Sequence, residues 1–197
     1  MKKLLPLLVA ATLAFSLAAC DKLPGKQVSF QNTDVTGLDY AKGFSLTDFN
    51  GKPRTLADYK GKVAIVFFGY TQCPDVCPTT MAEMASVMQK LGPQADQVQV
   101  LFITLDPERD TPQLLASYVP AFDKRFMGLY GNLEQTAKTA KDFKVFYSKV
   151  PGSAPGSYTI DHMAGSYVFD KDGRLRLFIR HGGSADSIVH DIRQLLS

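Results

Sequence analysis

Three side chains in this sequence have the type and spacing to do chemistry together: Cys73, Cys77 and His162. The two thiols are separated by Pro74, Asp75 and Val76. A close-set pair can chelate a soft metal ion or interconvert with a disulfide. Their spacing bears on the choice. Residues four apart on a regular helix have Cβ atoms about 5–6 Å apart, whereas a disulfide wants roughly 3.8 Å. Two sulfurs each about 2.3 Å from one ion span the gap more easily. Pro74 suggests that Cys73 lies outside the regular helix, so oxidation stays open. The pattern is that of a chelating dithiol with redox capacity, and Cys73 and Cys77 are also the candidate redox pair. A helix N-terminus beside them is expected to lower the thiol pKa values and favour thiolate.

The elements that must position these thiols are legible on either side of them. Val63-Ala-Ile-Val-Phe-Phe-Gly69 is an apolar run that predicts a strand buried on both faces. A short polar loop follows, and Pro78 suits the first position of a helix over residues 78–91. Met81, Met84, Ala85, Met88 and Leu91 share one face of it, and Gly92-Pro93 stops it. Methionine at this spacing is more often adaptable core filler than a copper ladder, and it is read so here. Strand, loop, cysteine pair and helix resemble a thioredoxin-like active site, with three residues between the cysteines where two are usual.

A third ligand is needed before the pair can select a metal. Tyr158-Thr-Ile-Asp161-His162-Met163 sets a histidine beside a carboxylate. In a thioredoxin-like arrangement this segment lies near the cysteine loop, and His162 would complete a Cys2His set suited to copper or zinc. A lone histidine near a strand is otherwise simply hydrogen-bonded; the cysteine pair tips the reading towards a ligand. Asp161 could orient the imidazole, although neighbours in an extended segment point apart. Met163 should face away from His162 for the same reason. His181 and His190 have no thiol partner in sequence and read as surface histidines. Asp106, Glu108 and Arg109 form a carboxylate–guanidinium cluster at a strand end, by default a structural salt bridge.

The chain begins with Lys2-Lys3 and an apolar run to Leu17, then Leu17-Ala-Ala-Cys20. Residues 1–20 read as a targeting segment. Small residues before Cys20 resemble the lipobox of bacterial lipoproteins, in which that cysteine is acylated and becomes the mature N-terminus; a short uncleaved anchor is the runner-up, since the apolar stretch falls short of the ~20 residues a spanning helix wants. Asp21 resembles the signal that retains such proteins at the inner membrane. Cleavage would take Lys+Arg from 22 to 20 against 19 acidic residues, which leaves a nearly neutral chain and no nucleic-acid reading. With Cys20 given to lipid, Cys73 and Cys77 are the only other cysteines, so no disulfide framework is in play. Residues 21–41 lack a sustained apolar period and read as a flexible tether. Residues 42–197 are the size of one domain.

Within that domain, residues 44–56 alternate about Asn50-Gly51, a hairpin signal. Residues 98–105 form a second buried strand, and Thr111-Pro112 cap and open a helix. Asn132 and Gln135 have capping-box spacing at the start of a helix over 132–141. Residues 145–147 predict a short strand and 151–157 an exposed loop. A terminal hairpin over 165–169 and 175–179 precedes a closing helix over 184–196. The order predicts an α/β fold, a thioredoxin-like three-layer sandwich with a central mixed sheet and an N-terminal hairpin.

Three stretches carry a more specific likeness: Phe67-Phe-Gly-Tyr-Thr-Gln-Cys-Pro-Asp-Val-Cys-Pro-Thr-Thr80, Thr104-Leu-Asp-Pro-Glu-Arg-Asp-Thr-Pro112, and Asp161-His162. Together and in this order they resemble the signatures of the Sco/SenC family. The resemblance implies copper, as Cu(I) or Cu(II), held by Cys73, Cys77 and His162. It also implies assembly of the dinuclear copper centre of cytochrome c oxidase, with the copper-bearing oxidase subunit as partner. Other periplasmic copper carriers or thiol reductases would be further partners. The place implied is the periplasmic face of the bacterial inner membrane, with the lipid as anchor. Met163 stands where the family often has a small residue or threonine. Two roles compete: a metallochaperone that delivers copper, and a thiol–disulfide oxidoreductase that reduces the oxidase cysteines before metallation. Only the first requires His162. A peroxiredoxin-like peroxidase fits less well, because the cysteines look like a chelating pair.

Overall fold

The apolar run at 63–69 forms a strand buried along its whole length, and the sheet is built outward from it. The computed structural model describes residues 29–197. The targeting segment, Cys20 and the first part of the expected tether lie outside the described residues. In chain order the strands are β1 (Thr33–Asp34), β2 (Ser45–Asp48), β3 (Pro53–Thr55), β4 (Val63–Gly69), β5 (Val98–Thr104), β6 (Met127–Tyr130), β7 (Tyr147–Pro151), β8 (Tyr158–His162), β9 (Gly165–Phe169) and β10 (Leu175–Arg180). The helices are α1 (Val76–Leu91), α2 (Pro112–Tyr118), α3 (Leu133–Asp142) and α4 (Ala185–Leu196). No helix among the described residues is long and apolar enough to cross a membrane.

Eight strands form one mixed sheet in the order β1-β10-β9-β4-β5-β6-β2-β3. The parallel core β4-β5-β6 is flanked by antiparallel β9 on one side and β2 on the other. Alternation sorts β4 between two cores. Val63, Ile65 and Phe67 pack with α1 and α4, while Ala64, Val66 and Phe68 pack with α3 and residues 35–59. The methionine stripe of α1 is core: Met81, Met84 and Met88 are buried. The caps read from sequence are present, with Thr111 accepting from the Leu114 amide and Asn132 and Gln135 in a reciprocal capping box.

Three boundaries differ from expectation, each for a physical reason. The helix after the cysteines starts at Val76, so Pro78 is its third residue. A proline costs nothing there either, because the first four helical N–H groups have no intrahelical partner. The strand expected at 145–147 lies instead at Tyr147–Pro151, where pairing with β8 sets the register, Tyr147 opposite His162 and Pro151 opposite Tyr158. Finally, the segment read as tether is docked from its described start. Thr33 pairs with Phe178, Val35 and Ala41 are buried, and the buried Asp191 carboxylate on α4 accepts from the Gln31 and Asn32 amides. Its polar sequence hid these contacts, because they are made by backbone and by isolated apolar residues rather than by a periodic face.

The pair β7-β8 is a separate two-stranded ribbon with no strand partner in the main sheet. It carries His162 at its end.

Candidate metal centre

Cys77 is the second residue of α1, and Cys73 lies in the loop before it, as Pro74 implies. Both are free thiols. The Cys77 amide points at Cys73 Sγ, 3.4 Å away, so one orphan donor of the helix start is directed at the other sulfur. The loop is pinned from beneath. The buried Asp110 carboxylate accepts from the Thr71 amide at 3.0 Å, the Thr71 hydroxyl at 2.5 Å and the Thr104 hydroxyl at 2.6 Å. Burial pushes the Asp110 carboxyl up from its usual range, against the opposing pull of those hydrogen bonds. The second strand thus supports the cysteine loop through a residue whose role the sequence did not single out.

Gly69 explains how close the sulfur comes to the sheet. A Cβ on it would stand 2.8 Å from Cys77 Sγ and 3.0 Å from the rings of Phe67 and Phe102. Only a glycine leaves room for the thiol at the end of β4. Cys77 is accordingly buried, and burial pushes its thiol well above the ordinary range. This runs against the expectation that the helix end lowers that pKa, because burial disfavours the thiolate. A cation bound between the ligands would reverse that preference, since a coordinating thiol is deprotonated.

His162 meets the thiols as the thioredoxin-like arrangement anticipates. Its Nε2 lies 3.5 Å from Cys77 Sγ, and the ligand atoms of Cys73, Cys77 and His162 all lie within 4.8 Å of one another. Donors sharing one ion at about 2.0–2.3 Å stand roughly 3.5–4 Å apart, so the set needs little tightening to close on a metal. The other ring nitrogen, Nδ1, is 3.2 Å from the Met163 carbonyl oxygen, which can only accept. The proton of the neutral ring therefore sits on Nδ1, and Nε2 turns its lone pair towards the sulfurs. Burial lowers the imidazole pKa, which favours that neutral form. Phe67 and Tyr70 present ring edges to the imidazole, with centroids 6.2 and 6.1 Å away. An open cleft lined by Tyr70, Cys73, Asp75, Asp161 and His162 leads to the site.

The remaining candidates fall outside this cluster. Asp161 is exposed and does not hold the imidazole; the Met163 carbonyl takes that place. The Met163 side chain packs on the opposite core from Cys77 and Ile160. His181 is an exposed residue hydrogen-bonded to the Thr80 hydroxyl, and His190 pairs with Asp191. Arg109 and Asp106 form the ion pair expected of them. Sequence reasoning missed Gly69, Tyr70, Asp110 and Tyr158. A signal existed for Tyr158, since Tyr158, Ile160 and His162 recur at the two-residue period of one strand face.

Comparison with known proteins agrees with this geometry. A profile of the SCO1/SenC family matches residues 33–197. A mitochondrial SCO2 homologue of Mus musculus is 39% identical over 153 residues, which is 77% of this chain but 60% of that protein. The chain therefore spans about 60% of the length of this curated relative. Among solved structures, copper-bound ScoI of Bradyrhizobium japonicum is 41% identical, with a TM-score of 0.72 over 78% of this chain and 98% of that one. Apo Sco1 of Thermus thermophilus is 38% identical, with a TM-score of 0.76 over 87% and 100%. With the match running from the docked N-terminal strand to the last residue, the chain belongs to the SCO1/SenC family.

Proposed function

We propose that this protein binds one copper ion through Cys73, Cys77 and His162 and passes it to the dinuclear copper centre of cytochrome c oxidase. The observation that carries this is the convergence of two sulfurs and one imidazole nitrogen within 4.8 Å. Two soft donors suit Cu(I), and an added nitrogen lets the same site hold Cu(II). Three protein ligands leave a coordination position through which an acceptor can enter. The copper-bound relative supports the choice of metal.

The alternative is a thiol–disulfide oxidoreductase acting on the oxidase subunit, and one experiment separates the two. Exchange needs only the two thiols. Cells carrying His162→Ala as their only copy are expected to lose most oxidase activity at limiting copper and to regain it at surplus copper. Full activity at limiting copper would instead favour the reductase.

The anchoring part of the proposal rests on the Leu17-Ala-Ala-Cys20 motif. It holds the protein by an N-terminal lipid at the periplasmic face of the inner membrane. Cys20→Ser should then accumulate as an uncleaved precursor. A mature chain whose intact mass shows Cys20 unmodified would refute the anchor.

A further inference from the structure

The ribbon that carries His162 is tied to the rest of the molecule by a few side-chain contacts. A two-stranded ribbon on its own is marginally stable in water, and β7-β8 shares no strand ladder with the main sheet. Ile160 is buried in the core beside Cys77, but an apolar contact alone fixes depth rather than direction. The directional ties gather on Tyr158, four residues before His162. Its hydroxyl donates to Asp106 Oδ1 at 2.8 Å. Its carbonyl accepts from Arg109 Nη1 at 2.9 Å. The Arg109 guanidinium carbon lies 3.6 Å from the centre of its ring. Lys149, from the other strand of the ribbon, lies over the same ring at 4.6 Å and pairs with Glu108.

Asp106 and Arg109 are held to each other, and the Thr104 hydroxyl accepts from the Asp106 amide. They sit in the turn that ends β5, and their side chains form an ion pair in which the Asp106 side chain is fully buried. Arg109 Nη1 also reaches Gln72 Oε1, at 3.3 Å, in the cysteine loop. One guanidinium thus touches the neighbour of Cys73 and the strand of His162. Planar stacking combined with charge-assisted hydrogen bonds fixes orientation as well as distance, which an ammonium would not do.

We propose that Arg109 and Asp106 are positioning residues for the metal centre, clamping Tyr158 so that the ribbon presents His162 at a fixed distance from the two sulfurs. The inference rests on the copper reading of the site and adds a device to it. Neither residue is placed to ligate the ion. Their action is to keep the third donor in place before the metal arrives, together with buried Ile160 and the rings of Phe67 and Tyr70 around the imidazole.

The test uses the full-length protein with Tyr158→Phe, which removes one hydrogen bond and keeps the ring, and Arg109→Gln, which removes the stacked charge. Each is made alone and together with His162→Ala. In the metal-free protein, amide exchange across β7 and β8 should speed up at least tenfold in both variants, with α1 and α4 unchanged. Cu(II) affinity should fall about tenfold for Arg109→Gln and less for Tyr158→Phe, whereas neither should weaken binding further once His162 is alanine. Arg109→Lys should fail to restore binding. Unchanged exchange in the ribbon would overturn the clamp, and so would an equal loss of affinity with and without His162. If His162→Ala alone leaves Cu(II) affinity intact, the copper reading fails, and the exchange rates then decide the clamp by themselves.

Discussion

Alanine at Cys77 should cost the reduced protein two to three decades of Cu(I) affinity, and alanine at Cys73 a similar amount. The scale follows from tetrahedral thiolate–imidazole sites, where about 10–16 kcal/mol of binding shared among four donors is roughly 2.5–4 kcal/mol each. His162→Ala should leave Cu(I) binding less affected and Cu(II) binding strongly weakened. Removing a thiolate takes away charge as well as a donor, while removing the imidazole takes away only the harder, nitrogen donor. Titration of the reduced protein, with absorbance and electron paramagnetic resonance for Cu(II) and a competing chelator for Cu(I), measures all three. Cu(I) and Cu(II) affinities of His162→Ala equal to those of the unaltered protein would exclude the three-ligand site.

Phe67→Ala should be the most damaging change that replaces no ligand. Phe67 is buried in the centre of β4, its ring centre 6.0 Å from that of Phe102 and 6.2 Å from the His162 imidazole. Emptying such a position costs about 3–5 kcal/mol, which in a domain of this size lowers the melting temperature by roughly 10–15 °C. The wall behind the imidazole goes with it, so Cu(II) binding should weaken too. Phe146→Ala is the control, since that ring is 81% exposed and surface changes stay within about 0.5 kcal/mol. Thermal unfolding of the two metal-free variants checks the contrast; equal melting shifts would contradict it.

The central sheet and the cysteine pair could be read from the chain because their signals are local, whereas His162, 85 residues from Cys77, was placed beside them only through the thioredoxin-like arrangement. A run such as Val63–Gly69 has no other way to satisfy its apolar side chains, and Cys73, Cys77 and Pro74 fix their own relation through a few bonds of backbone. Gly92, with φ +57, ends its helix where the sequence places the stop. The less legible parts depend on partners distant in sequence. Thr33 is a strand residue only because Phe178 offers it an edge, and Tyr147–Pro151 is a strand only because β8 lies beside it. The depth of Cys77 has the same character. Nothing between residues 73 and 77 announces that the end of β4 will remove that sulfur from water, and the helix-end argument pointed the other way. Arg109 was recognised as one half of a salt bridge; its reach to Tyr158 needed the fold to bring two segments 49 residues apart into contact.

The unequal depth of the two sulfurs sets an order of events for any hand-over. Cys73 and His162 line the open cleft, whereas Cys77 is fully buried behind Gly69. An incoming donor meets the ion from the cleft side and competes first with the outer pair. The inner sulfur is not open to direct approach, so its bond to a held ion would be the last to break, after an acceptor already shares the ion. On the proposed function, release would then be stepwise and associative, with no stage at which the metal is held by neither protein.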